Sequence, residues 1–246
     1  MMPKELNQHL SQISTMWTVL RQAHEGSAAE AATAQRLLLE RYGSAVHRYL
    51  LRLLGDANAA DDLLQEFALA LISGSLRGAD PERKRFRYYV KSVLFHLVSK
   101  HRKRQQRQAR AVADDGPELA GLTAPGDDGD RAFDETWREQ LLNRAWEALS
   151  RSQPSFYEVL RFRAEHPKAS SEELAEQLGV RLKKKLTSSA ARQTLHRARE
   201  QFADLLLDEI AHSLDEPTLA QIEEELAQLN LLAYCRPALQ RRAPGS

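Results

Sequence analysis

Apolar positions recur at helical spacing along most of this chain. The stretch MWTVLRQAHEG reads as a helix ending at Gly26, and a longer one runs from about Ala28 to Leu54, with Leu38, Tyr42, Tyr49 and Leu53 on one face. Gly55 is a plausible stop for it. Asp56 to Asp61 then reads as a turn and cap before DDLLQEFALALI, where acids in the first turn suit the helix dipole. SGSLRGADPE, residues 73–82, reads as a loop whose Pro81 is placed to open the next helix. That helix reads KRFRYYVKSVLFHLVSKHRKR from Lys84 to Arg104. At about 100° per residue, Phe86, Val90, Val93 and Leu97 share one apolar arc. Tyr88, Lys91, Ser92, Phe95, Ser99 and Arg102 share the opposite one.

The second half repeats the helical pattern. SSEELAEQLGV, residues 170–180, reads as the first helix and turn of a helix-turn-helix: Ser170 or Ser171 caps it, Glu172 and Glu173 follow, and Gly179 allows the turn. TSSAARQTLHRAREQF, residues 187–202, follows as a candidate recognition helix, with Leu195, Ala198 and Phe202 facing in and Arg192, Gln193, His196, Arg197 and Arg199 facing out. From 213 to 235, Leu219, Ile222, Leu226, Leu229 and Ala233 recur above a row of glutamates, so an amphipathic helix is expected over about 218–233. It serves either as a strut on its own domain or as an acidic lid on a basic DNA face.

No segment alternates in the manner of a strand, so the expected fold is all-α. The stretch 111–130 carries four Gly, two Pro and five Asp with few large apolar residues, and reads as an acidic flexible linker. It separates a helical domain over 10–110 from a helix-turn-helix domain over 131–212, with an extension and tail over 213–246.

Charge changes the picture more than composition does. The formal net charge is +1, yet residues 77–110 hold 12 Lys/Arg against 2 acids and residues 111–130 hold 6 acids and no base. Residues 181–199 hold 7 bases and no acid, and 201–235 hold 8 acids and no base. A near-zero total therefore conceals two basic modules. Cys235 is the single cysteine, which excludes an internal disulfide and a thiolate cluster for zinc. His96 and His101 lie about 140° apart on a helix, which disfavours a metal pair. Without a phosphate loop, an HExxH or a nucleophile elbow, no catalytic residue, cofactor or metal is expected. The N-terminal MMPKELNQHLSQISTMW has no apolar run of signal-peptide character and no segment is apolar for long enough to span a bilayer, so a cytoplasmic location without membrane insertion is expected.

Aromatic side chains interleaved with cations, as on the second arc of the 84–104 helix, suit single-stranded nucleic acid, because bases stack on rings while phosphates need positive charge. A buried helix with a charged face, its aromatics covered by a neighbour, is the competing reading of the same residues.

LGDANAADDLLQEFALAL (54–71), RFRYYVKSVLFHLVSKHRKR (85–104) and ELAEQLGV with TLHRAREQF together resemble a bacterial RNA polymerase sigma factor of the extracytoplasmic-function group. The likeness covers about 30–108 and 135–210, in the family's order. It implies that Asp61, Asp62, Leu63, Gln65 and Glu66 meet the clamp of core RNA polymerase. It implies that the loop Ser73–Arg85 cradles an extruded promoter base and that the helix to Arg104 opens the −10 element and holds the displaced strand. Arg77, Arg85, Arg87, Tyr88, Lys91, Phe95, Ser99, Arg102 and Arg104 are then the candidate DNA contacts of the first domain. Ser188, Ser189, Arg192, Gln193, His196 and Arg197 are those of the second, at the −35 element.

The chain departs from the family pattern at Ala59, where an acid is usual, and at Phe95, His96 and Lys100. It also carries an extra RLKKKL (181–186) ahead of the recognition helix. The sequence leaves open whether an anti-sigma factor, a Ser/Thr kinase or the C-terminal helix restrains it. The rival reading is a helix-turn-helix regulator that never engages polymerase, and a lesser one is an RNA-binding or scaffolding protein. DDLLQEF discriminates them, since a plain repressor has no use for an acidic docking helix in a separate domain.

Overall fold

A computed structural model describes residues 16–73, 85–112, 127–182, 185–215 and 217–243. They form ten helices and no strand: α1 (Met16–Glu25), α2 (Ala28–Leu54), α3 (Ala57–Ser73), α4 (Phe86–Val112), α5 (Asp127–Ser152), α6 (Pro154–Glu165), α7 (Ser171–Leu182), α8 (Ser188–His212), α9 (Leu219–Gln228) and α10 (Leu232–Arg242). The fold is all-α, as the periodicity requires. No described helix is long and apolar enough to cross a membrane.

Local chemistry sets most boundaries. Ser27 opens α2 with a capping box, its hydroxyl accepting from the Glu30 amide while the Glu30 carboxylate accepts from the Ser27 amide. Gly55 closes the helix at φ 67°, a left-handed position that costs a side chain strain and glycine none. Gly26 serves close approach instead, since a Cβ there would lie 2.6 Å from the Gln22 carbonyl oxygen. Asp56 caps α3 by accepting from the amides of Asn58 and Ala59. The residues expected to form a turn after Asp56 are thus already helical, because one carboxylate satisfies the first free amides.

Several expected boundaries move. α4 begins at Phe86 rather than Pro81, which lies outside the described residues with the rest of 74–84. Of the linker read over 111–130, the described ends are helical: α4 reaches Val112 and α5 starts at Asp127. Asp127, Asp128 and Asp130 sit in the first turn of α5, where the helix dipole favours acids, so part of the linker signal was an N-terminal helix signal. Gly179 lies inside α7 instead of in the turn. Ser170 caps that helix, accepting from the Glu173 amide while its own amide donates to Glu173.

The chain divides into two compact units. One takes residues 13–140 and 212–216, the other 141–211 and 217–246. The division falls at Gln140, inside the segment assigned from sequence to the second domain, for a reason visible in the rings. Trp137 stacks on Tyr42 at 4.7 Å and Phe133 meets Tyr49 edge-on at 5.3 Å, with Phe86 6.2 Å from Trp137. The first part of α5 therefore completes the core built by α1 to α4, where Leu38, Tyr42, Leu50, Phe67, Phe86, Val90 and Trp137 are each at most 1 % exposed. Aromatic area of this kind dominates burial energetics.

The second unit builds its core from Leu141, Leu149, Val159, Leu174, Leu178, Ala198, Leu206, Leu207 and Ile210, all buried. Trp146 packs on Phe202 at 4.7 Å and on Tyr157 at 5.7 Å, which ties α5, α6 and α8 together. The single amphipathic helix expected over 218–233 is a pair. α9 stops at Gln228, Asn230 takes a left-handed φ of 56°, and α10 runs on through Pro237 to Arg242. Asn is among the few residues other than Gly that adopt this conformation at low cost.

Candidate nucleic-acid interface

On α3, acids and apolar residues separate by helical period. Asp61, Asp62 and Gln65 are exposed and Glu66 is partly so, while Leu63, Phe67 and Leu71 are buried. Leu63 is 1 % exposed, so its place among the partner-contacting residues is corrected to the core. Asp61 holds His47 of α2 at 3.0 Å and Glu66 holds Lys100 of α4 at 3.3 Å. Asp62 makes no ion pair among the described residues and offers its charge outward.

α4 shows both arcs that its sequence encodes. Phe86, Val90, Val93 and Leu97 are buried, and Tyr89, Leu94 and Val98 join them. On the other side Phe95 is 40 % exposed, Ser92 is exposed, and Tyr88, Lys91, Ser99 and Arg102 are half-buried. Arg104 is exposed beside Lys103 and Arg107. The Arg85 guanidinium lies 5.6 Å from the centre of the Tyr88 ring, a cation stacked on an aromatic face. Arg77 lies outside the described residues.

Two of the expected DNA-facing cations are occupied from within the chain. Arg87 is 1 % exposed and paired with Asp134 of α5, so it is corrected from a surface contact to a buried brace, its guanidinium also 4.7 Å from the Tyr88 ring centre. Lys91 bonds Asp130 at 2.9 Å and lies 5.9 Å from the centre of the Phe133 ring. On α2, Arg52 bonds Glu135 at 2.7 Å, and Gln140 receives a hydrogen bond from Arg48 while donating to the Arg41 carbonyl. The start of α4 is held as well: the Phe86 amide donates to the Ser213 carbonyl, and Arg85 bridges Leu214. None of these partners is legible in the sequence, because each lies on a different element, far along the chain from the residue it touches.

Burial also fixes protonation. It pushes the Tyr49 hydroxyl up to about 12, with the Asp130 charge adding to the effect, and pushes Tyr89 up to about 12 by burial alone. Both rings are therefore neutral under ordinary conditions.

In the second unit, α7 covers residues 171–182 and α8 residues 188–212. Thr187 caps α8 by accepting from the Ala190 amide, which fixes Ser188 as its first residue. Ala191, Leu195, Ala198 and Phe202 are buried. Ser189, Arg192, Gln193, His196 and Arg197 are exposed, Ser188 is half-buried, and His196 sits 3.8 Å from Glu200. The inserted RLKKKL is described only in part, with Lys183 and Lys184 outside the described residues. Beside it, Ala175, Glu176, Gly179, Val180, Lys185, Leu186 and Thr187 line an open cleft.

Residues 38–108, from within α2 through α3 to near the end of α4, match the family model for sigma-70 region 2. The match spans less than half of the chain, and the likeness is to that region. No curated protein and no solved structure matches the chain.

Proposed function

We propose that the chain is a sigma factor of the extracytoplasmic-function group, which binds core RNA polymerase and directs promoter recognition and opening. One observation carries most of the weight. Within the stretch matched by sigma-70 region 2, α4 buries Phe86, Val90, Val93 and Leu97 while turning Ser92 and Phe95 to solvent. A helix that anchors a core with one face and shows rings, hydroxyls and cations on the other is built to hold an unstacked strand. Extruding a base costs a few kcal/mol, which stacking on rings and neutralised phosphates offset.

In this reading Asp61, Asp62, Gln65 and Glu66 dock the acidic face of α3 on a basic clamp of the polymerase. Tyr88, Lys91, Phe95, Ser99, Arg102 and Arg104 hold the opened −10 strand. Ser188, Ser189, Arg192, Gln193, His196 and Arg197 of α8 meet the −35 duplex, through base edges and phosphates. The protein performs no catalysis of its own and acts in the cytoplasm, and an anti-sigma factor or a Ser/Thr kinase is the expected class of regulator.

The test is co-purification with core polymerase followed by run-off transcription on genomic fragments. The wild type is expected to be retained and to start transcripts at discrete sites. Asp61→Arg with Asp62→Arg is expected to lose retention with an unchanged helical CD spectrum. Retention of the double variant sinks the docking assignment. Duplex binding without any retention of the wild type favours a helix-turn-helix regulator instead.

A further inference from the structure

We propose that the first part of α5, residues 127–140, is an intramolecular cover on the strand-holding face of α4, with its carboxylates standing where DNA phosphates bind. The idea rests on the reading of α4 given above and concerns how that face is regulated. Asp130 bonds Lys91 at 2.9 Å and Asp134 bonds Arg87, one helical turn apart on each partner. Phe133, between the two acids, places its ring 5.9 Å from the Lys91 ammonium. An acid, an aromatic ring and a second acid thus present to the cations what a strand presents with phosphate, base and phosphate.

The cover is partial, and its edge is sharp. Arg87 keeps 1 % of its side-chain surface and Lys91 keeps 22 %, whereas Phe95, one turn further on, is 40 % exposed. Beyond it Lys103, Arg104 and Arg107 are exposed. The downstream half of the face is open to a strand, and Lys91 joins it only when Asp130 lets go. Asp130 is the point of release, because its carboxylate is 57 % exposed and its bond to Lys91 is a surface ion pair, whereas Arg87 with Asp134 is buried on the cation's side. A strand that has seated on Phe95 and Arg102 brings phosphate close to Lys91 and competes for it directly.

The experiment measures the affinity of the full chain for a short labelled single-stranded DNA by fluorescence anisotropy, at fixed low salt. Asp130→Asn is compared with Asp128→Asn, which removes the same charge from an exposed position two residues away without an ion pair among the described residues. The expected result is tighter binding by about fivefold for Asp130→Asn, the size of one surface ion pair released, and less than about twofold for Asp128→Asn, the general charge effect alone. Adding Phe95→Ala to Asp130→Asn is expected to remove the gain. Equal affinities for the two Asn variants, with binding still weakened by Phe95→Ala, overturn the cover and leave the strand site standing. Binding indifferent to Phe95→Ala in every variant overturns the strand site, and the cover with it.

Discussion

Phe86 and Phe95 lie on one helix and differ only in the face they occupy, so they separate folding from function at single-residue resolution. Phe86 is 1 % exposed amid Trp17, Tyr42, Tyr89 and Trp137, and Phe86→Ala is expected to cost about 3–5 kcal/mol of stability, read as a fall in the urea midpoint. Phe95→Ala is expected to leave that midpoint nearly unchanged while weakening open-complex formation by about 1–3 kcal/mol, the worth of one stacked base. Unfolding by Phe95→Ala would return α4 to a purely structural role. Arg87 gives the electrostatic counterpart. Asp134→Ala takes the carboxylate from a cation that is 1 % exposed, and a loss of about 3 kcal/mol is expected, the low end for a broken buried pair because Asp134 itself stays 32 % exposed. A change below about 0.5 kcal/mol, typical of surface positions, would show that the pair carries no weight.

At the scale of elements, the pair α9 and α10 settles how the acidic tail is held. Ile222, Leu226, Leu229, Leu231, Cys235 and Ala238 are buried. Arg241 bonds Glu200 and Asp204 of α8, and Arg242 bonds Asp208, so Asp204 and Asp208 of the 201–235 block have cationic partners on α10. Tyr234 adds an edge-on contact with Phe202 at 6.0 Å. These are the attachments of a strut, and truncation after Leu214 is expected to lower the melting temperature of the second unit by well over the few degrees that ~1 kcal/mol represents. Unchanged thermal stability with increased duplex affinity would instead make the tail a lid. The thiol gives a second readout. Cys235 is fully buried and its pKa is pushed up to about 12, so alkylation at neutral pH is expected only from unfolded molecules. Rapid labelling of the native protein would mean that α10 detaches readily.

Both units contain groups that hold their protons more tightly when folded, which gives the molecule as a whole an alkaline limit. Tyr49 and Tyr89 rise from 10.0 to about 12 in the first unit, and Cys235 from 9.0 to about 12 in the second. Unfolding lets each proton leave at the lower value, so the stabilisation is complete below about pH 9 and is lost as pH rises towards 12. Urea midpoints are expected to be flat from pH 7 to about 9 and then to fall in both units. A flat profile up to pH 11 would mean that these groups are reached by water in the native state.

The helices were legible because helix formation is local. A period of 3.6, a cap at Ser27, Asp56 or Ser170 and a stop at Gly55 depend on residues a few positions apart, and α2 runs over the residues its pattern predicts. The two faces of α4 and the exposed acids of α3 follow from the same period, so much of the candidate site could be drawn before any packing was known. Partnership was not legible, because it joins residues far apart in the chain. Arg87 and Lys91 look equivalent to Arg102 and Arg104 in sequence, and only α5 arriving with Asp130 and Asp134 makes the first two internal. Likewise Leu63 sits among docking acids and belongs to the core, and Arg241 and Arg242, read as a tail, bind the acids of α8. The sequence by itself determined where most of the helices lie and which way the faces of α3 and α4 point, since those are properties of a few consecutive turns. Only the tertiary structure decided which charged faces remain open, since burying a charge requires a partner brought from elsewhere by the packing of other side chains.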